Sequence, residues 1–273
     1  MKNGQIIADL HTHNHHSFDS EMHPDDCFST AVEAGVDIIA VTNHFDIDGV
    51  LDGIYAGYDV ETDKSEVLRG QKEYSGRLRI IWGIELGQPT HRQREALEFL
   101  ERHDFDYVLL SLHNLRDVPD FSFWDYSKMT DEMCEYWLDK YFSQILDMLD
   151  FPRCDALAHL TYPYRYMKQA GRKVDFGRFR DKIAAIYEKL IARGAALEVN
   201  TSGYRQGMGA PMPDERFLAL YRECGGELTV VGSDAHRRND IGAGIEQAYG
   251  LLRRLGYRHT YVPARGGFEP LPL

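Results

Sequence analysis

Residues 24–44, PDDCFSTAVEAGVDIIAVTNH, hold one complete structural unit of this chain. A proline near its start and Gly35 at its end punctuate a helix over 24–34. A run of branched apolar residues over 37–42 then reads as a buried strand, and it delivers His44 in Thr-Asn-His. Working outward, the same unit recurs. Candidate strands fall at 5–10, 37–42, 78–86, 107–111, 156–159, 195–200 and 228–232, separated by helical patterns at 24–34, 90–102, 131–149, 176–193, 214–223 and 245–255. The 131–149 segment places Trp137, Tyr141, Ile145 and Met148 at three- and four-residue steps. Repeated strand-then-helix units imply parallel strands with right-handed crossovers. Seven of them point to an α/β fold, a closed or nearly closed barrel rather than an open sheet.

The length of 273 residues suits one such barrel, which typically needs about 250. Residues 1–273 are therefore read as one domain, without internal repeat, low-complexity tract or linker. Two connections are long, 45–77 and 114–130. The second carries Phe121, Phe123, Trp124 and Tyr126, which suit either a lid or pocket wall, or a loop folded onto its own helix.

The formal charge of −12 counts against a broad nucleic-acid-binding face. It leaves room for a small anionic substrate, because bound cations can reverse the field inside a pocket. Cys27, Cys134, Cys154 and Cys224 form no C-x-x-C pair and read as scattered buried thiols. No leader-like stretch or membrane span is visible, so a cytoplasmic protein is expected.

The chemistry lies at the strand ends. His11 and His13 follow the first candidate strand and His44 the second. Glu85 ends the third, in Gly-Ile-Glu-Leu-Gly, and His113 follows the fourth. His159 ends the fifth, and Asp234 and His236 follow the seventh, in Gly-Ser-Asp-Ala-His. In barrels the C-terminal rim of the strands is where active sites are built. Side chains two apart in an extended segment share a face, so Asp9, His11 and His13 are expected to point together, as are Asp234 and His236. Imidazole with carboxylate suits zinc, manganese or iron. A bridging Glu85 could hold two ions roughly 3.5–4 Å apart. A lone buried histidine is more often a packed core residue than a ligand, and Gly-Ser-Asp alone could be a turn; the set at successive strand ends does not read that way. His15, His16, His23, His91, His103 and His259 keep that plainer reading, with His15 and His16 as near neighbours of the site. Asp9 is expected to orient a ligating histidine.

The ordered set D-x-H-x-H, T-N-H, G-x-E, S-x-H, A-H and G-S-D-A-H, running from Asp9 to His236, resembles the polymerase-and-histidinol-phosphatase (PHP) superfamily. That resemblance implies a distorted seven-stranded (βα)7 TIM-like barrel with three divalent metal ions (Zn, Mn or Fe) at the C-terminal rim. By motif it implies a first metal site of His11, His13, Glu85 and Asp234. The second would be Glu85, His113 and His159, with Glu85 bridging, and the third Asp19, His44 and His236. Residues 197–205, LEVNTSGYR, are similar to the E-x-N-T-x-G-x-R segment of the histidinol-phosphatase branch, whose arginine contacts the substrate phosphate; that implies Arg205. A second phosphate-binding arginine maps to Arg165, across a Tyr-Pro-Tyr insertion that departs from the branch pattern.

The implied catalytic residues are Glu85, His44, Arg165 and Arg205. The implied reaction is hydrolysis of a phosphomonoester, foremost L-histidinol phosphate to L-histidinol and phosphate in histidine biosynthesis, through a metal-bridging hydroxide. A PHP-fold phosphatase acting on a nucleotide or sugar phosphate is the alternative. An exonuclease or a non-catalytic metal-binding module fits less well. The expected partner is a small phosphorylated substrate, with no nucleic acid and no membrane.

Overall fold

Seven strands, β1 (Ala8–Thr12), β2 (Ile38–Asp46), β3 (Arg79–Gly87), β4 (Tyr107–Ser111), β5 (Ala156–Leu157), β6 (Ala196–Asn200) and β7 (Thr229–Gly232), pair in parallel and in chain order. The computed structural model describes residues 4–55 and 57–273. Residues 1–3 of the expected 1–273 domain, and residue 56 of the 45–77 connection, lie outside the described residues. The helices are α1 (Pro24–Ala34), α2 (Ile47–Leu51), α3 (Val60–Glu73), α4 (Gln93–Arg102), α5 (Asp131–Met148), α6 (Tyr162–Gln169), α7 (Arg180–Ala192), α8 (Ser202–Arg205), α9 (Glu215–Glu223) and α10 (Ile245–Arg254). None of the described helices is long and apolar enough to cross a membrane.

Alternation along the strands sorts two apolar layers. Ile38, Ala40, Ile81, Leu109, Ala156, Ala196 and Val230 fill the barrel interior. Ile39, Val41, Ile80, Trp82, Val108, Leu110, Leu197 and Val231 face the surrounding helices. Continuing the inward parity toward the C-terminal ends places His44, Glu85, His113, Glu198 and Asp234 over the core. The strand ends thus become polar just where the interior opens.

β1 breaks this parity. Its register against β2 shifts between Asp9 and Thr12, where one extra residue is inserted. Such a bulge re-aims the side chains that follow it. Leu10 still faces the interior, yet His11 and His13 reach the rim, and Thr12 turns outward with its hydroxyl donating to Ala40 O at 2.8 Å. Asp9 therefore does not share the face of His11, and the expectation that it orients a ligating histidine is corrected. Its carboxylate fastens the seam of the barrel instead. It accepts from Ser233 N (2.7 Å), Ser233 Oγ (2.6 Å) and Gly242 N (2.8 Å). Beside it, His11 O accepts from Asp234 N (2.7 Å), and His13 N donates to Ala235 O (2.8 Å). These bonds close the ring between β1 and the end of β7.

The 45–77 connection is not a bare loop, since it holds α2 and α3. The 114–130 connection contains two single helical turns, Phe121–Phe123 and Tyr126–Lys128. Phe121 is buried, and Trp124 packs edge-on against Trp137 of α5, while Phe123 is 69% exposed at the rim. That stretch thus both folds onto its own helix and borders the mouth. A C-terminal hairpin that the sequence pattern did not reveal, β8 (His259–Ala264) with β9 (Gly267–Pro272), plugs the other end with Val262 and Leu271. The four cysteines are free thiols. Cys27 and Cys134 are buried as expected, and Cys154 and Cys224 are half-buried.

Removing the seam carboxylate strands two buried donors of Ser233 and the part-buried Gly242 N–H, and a buried donor left unpaired costs about 1–3 kcal/mol. Asp9→Ala is expected to lower the unfolding free energy by about 3 kcal/mol in urea titrations; a loss below about 1 kcal/mol would show that the seam does not depend on Asp9.

Candidate metal centre

All nine expected ligands meet at the C-terminal rim. His11, from β1, and His13, just beyond it, converge on Asp234, their Nε2 atoms lying 3.8 and 3.6 Å from Asp234 Oδ1. The same two nitrogens lie 3.0 and 3.5 Å from Glu85 Oε2. On the other side, His113 Nε2 and His159 Nε2 stand 3.1 and 2.9 Å from Glu85 Oε1, and 3.4 Å from each other. Asp19 Oδ2 lies 3.0 Å from His236 Nε2 and 3.6 Å from His44 Nε2, and those two nitrogens are 3.4 Å apart. Three groups result, the first two sharing one Glu85 oxygen each. His44 links the third group to the rest through Nδ1, 3.0 Å from Glu85 Oε2.

The donor chemistry fits divalent cations. His11 Nδ1 donates to Glu198 Oε1 at 2.6 Å, and His113 Nδ1 donates to Asp46 Oδ2 at 3.0 Å. His236 Nδ1 donates to Asp234 O at 3.1 Å. With Nδ1 protonated, each Nε2 keeps a lone pair, and each lone pair faces a carboxylate oxygen. That arrangement repels unless a cation or an additional proton lies between. His13 Nε2 and His44 Nδ1 are buried and lack a hydrogen-bond partner, which is costly in the absence of a ligand. Tetrahedral zinc with bonds of about 2.0–2.1 Å sets its donors roughly 3.3 Å apart. The separations above bracket that value.

The field at the centre favours positive charge. Burial pushes the His11 imidazole down, but Glu198, Glu85 and Asp234 more than reverse this and hold it well above its ordinary value. His113 is raised in the same way, by Asp46 and Glu85 acting against burial. Burial also pushes Glu85 up, yet His44, His11 and His113 hold it well below the usual carboxylate range. His13, buried and facing His236 and His44, is held well below the imidazole range.

Local structure locks these rings. Glu198 on β6 spans two groups, since its Oε2 accepts from His159 N at 2.7 Å. Gly232 makes this approach possible: a Cβ there would lie 2.3 Å from His11 Cβ and 2.8 Å from Glu198 Oε1. Ser17 Oγ lies 3.0 Å from His13 Nδ1 and accepts from His44 N at 3.0 Å. The same hydroxyl donates to Asn43 Oδ1 at 3.1 Å. Asn43 Nδ2 in turn donates at 2.9 Å to the buried Asp63 of α3, which also accepts from Tyr58 OH and Trp82 Nε1. Asp234 adopts a left-handed backbone (φ 55°), which lets its amide reach His11 O while its carboxylate turns inward.

Both expected arginines face the same cavity, which measures about 680 Å³ and is also lined by Phe18, Tyr55 and Asp120. The Tyr-Pro-Tyr insertion is the first turn of α6, and it seats Arg165 between two aromatic faces, with the guanidinium 4.8 Å from the Tyr162 ring and 4.6 Å from the Tyr166 ring. Arg205, at the end of α8, donates through Nη2 to Asp234 O at 2.8 Å, while its buried Nη1 has no protein partner. Sequence reading did not assign Asp46, Glu198, Ser17 or Asp63. Glu198 heads the LEVNTSGYR segment, but its target, His11, is 187 residues away.

A family profile described as the PHP domain matches residues 9–202. The chain belongs to the PHP family. Arg205, Asp234 and His236 lie beyond the matched stretch, and the fold brings them to it. This PHP chain is 28% identical over 263 residues to a Thermotoga maritima protein described as a probable histidinol-phosphatase, covering 95% of this chain and 97% of the relative. It is 25% identical to the histidinol-phosphatase of Lactococcus lactis, covering 91% of each. Its fold superposes on the crystal structure of a Lactococcus lactis histidinol phosphate phosphatase complexed with zinc, L-histidinol and phosphate. The TM-score is 0.81, at 22% identity, over 96% of this chain and 98% of that one.

Carboxylates that fix a ligating imidazole typically change metal affinity by about 10–100-fold. Glu198→Gln keeps the shape but cannot accept from both His11 and His159. Chelator competition is expected to show zinc affinity weakened by about that factor, with an unaltered circular-dichroism spectrum. Unchanged affinity would exclude this role.

Proposed function

We propose that this chain is a metal-dependent phosphomonoesterase that hydrolyses L-histidinol phosphate to L-histidinol and inorganic phosphate. The observation that carries the reading is the convergence of Arg165 and Arg205 on the cavity whose floor is formed by the three donor groups. Cations alone would suit many hydrolases; cations facing two guanidinium groups suit a phosphate dianion. The relatives from Thermotoga maritima and Lactococcus lactis, matched over nearly their whole length, support this substrate.

His11, His13, Glu85 and Asp234 would hold one ion, Glu85, His113 and His159 a second, and Asp19, His44 and His236 a third. Divalent ions there supply Lewis acidity toward phosphoryl oxygens and water acidic enough to attack at neutral pH. The chain's own groups do the rest. Arg205 Nη1, buried and free of protein partners, is available to a phosphate oxygen. Arg165 is pre-oriented by Tyr166 OH, 2.5 Å from its Nη2, so little side-chain freedom is lost on binding. Both donate to the peripheral oxygens as charge spreads over them. Phe18 and Tyr55, stacked 3.9 Å apart, wall the side of the cavity and restrict water. Asp120, held by Ser122 N at 2.6 Å and Tyr162 OH at 3.1 Å, offers a negative partner to the amine of the leaving alcohol.

Two measurements test this reading. Phosphate release should be fastest from L-histidinol phosphate in a panel with a nucleoside monophosphate, a sugar phosphate and single-stranded DNA; preference for another member would replace the substrate named here. Arg205→Ala is expected to lower kcat/KM by about 10²–10³-fold with metal content unchanged by elemental analysis. Glu85→Gln should instead lose metal and activity together.

A further inference from the structure

We propose that His15, His16 and Glu66 form an additional divalent-cation site of the zinc-binding class, outside the catalytic cluster, tying α3 to the loop that carries His13, Ser17 and Asp19. The inference does not depend on the phosphatase reading.

Adjacent residues of an extended chain point to opposite sides. Here a turn brings two adjacent imidazoles together, with ring centroids 4.3 Å apart. The turn is pinned at both residues: His15 N donates to Met22 O at 2.8 Å, and His16 N donates to Asn14 Oδ1 at 3.0 Å. Glu66 faces the pair from α3, with its Oε2 2.8 Å from His16 Nε2 and 4.0 Å from His15 Nε2. One ligand atom from each residue lies within 4.8 Å of the others. That spread brackets the roughly 3.3 Å between donors around a tetrahedral ion with bonds of about 2.0–2.1 Å.

The third donor argues for a ligand. A His16–Glu66 hydrogen bond accounts for two of the residues and leaves His15 unexplained. His23 stacks on His15 at a centroid distance of 5.1 Å. Its Nδ1 accepts from Asp25 N at the start of α1, which fixes the ring beside His15. The helix that carries Glu66 is anchored, because Asp63, one turn earlier on α3, accepts from Tyr58, Trp82 and Asn43. With the His15 side chain 37% exposed, the remaining coordination positions are open to water, so the ion should exchange readily.

The test is zinc stoichiometry of the full-length chain at fixed free zinc, by elemental analysis and calorimetric titration, for wild type, His15→Ala and Glu66→Gln. His15 is exposed, so its truncation should not disturb folding. Wild type is expected to bind one equivalent more than either variant, and zinc added beyond the tight equivalents should raise the Tm of wild type alone. Equal stoichiometry in all three would overturn the site. Retention of the extra equivalent by His15→Ala, with loss only in Glu66→Gln, would overturn the three-donor assignment.

Discussion

Glu85 is fully buried, and its two oxygens lie within 3.1 Å of ring nitrogens from His11, His44, His113 and His159. A carboxylate at the mouth of an apolar barrel is costly unless positive charge surrounds it. Four imidazoles meet that demand only if strands β1, β2, β4 and β5 deliver them to one point. Barrel closure and charge balance are therefore coupled: the ring of strands places these donors around one carboxylate. Cations held between these nitrogens and the carboxylate oxygens would complete the same balance.

The support for this centre is layered. Glu198 and Asp46 remove the choice of tautomer at His11 and His113 by accepting from Nδ1. Ser17, Asn43 and Asp63 pass the constraint from α3 to His13. The seam at Asp9 holds β1 against the end of β7, and so fixes the distance between His11 and Asp234. The arginines stand on short helices after β5 and β6, and Arg205 meets Asp234 at its backbone carbonyl rather than at its carboxylate. Phosphate binding and metal binding can therefore be perturbed separately.

Much of this could be read from the chain because apolar strands that end in histidine or carboxylate are unusual, and the strand-then-helix repeat fixes which ends lie together. Glu85, His113 and Asp234 needed only strand parity. The division into three groups came from family resemblance, and the structure brings the same residues together at the rim. Glu198 was visible in LEVNTSGYR without a partner to give it a role. The role of α3 lay hidden in a connection whose polar surface residues obscured its helical pattern.

By itself, the sequence indicated the parallel α/β architecture, the C-terminal rim as the candidate site and eight of the nine candidate ligands, Asp19 being supplied by the family resemblance. These follow from local periodicity and from side-chain chemistry, which one chain segment carries by itself. Tertiary structure alone decided what Asp9 does. One inserted residue in β1 reverses strand parity, and a pattern of residue types does not record the register against β2. It also decided which carboxylate orients which imidazole, and it brought His15, His16 and Glu66 together. Those are relations between segments tens to hundreds of residues apart, and only the closed barrel and its packed helices set their distances.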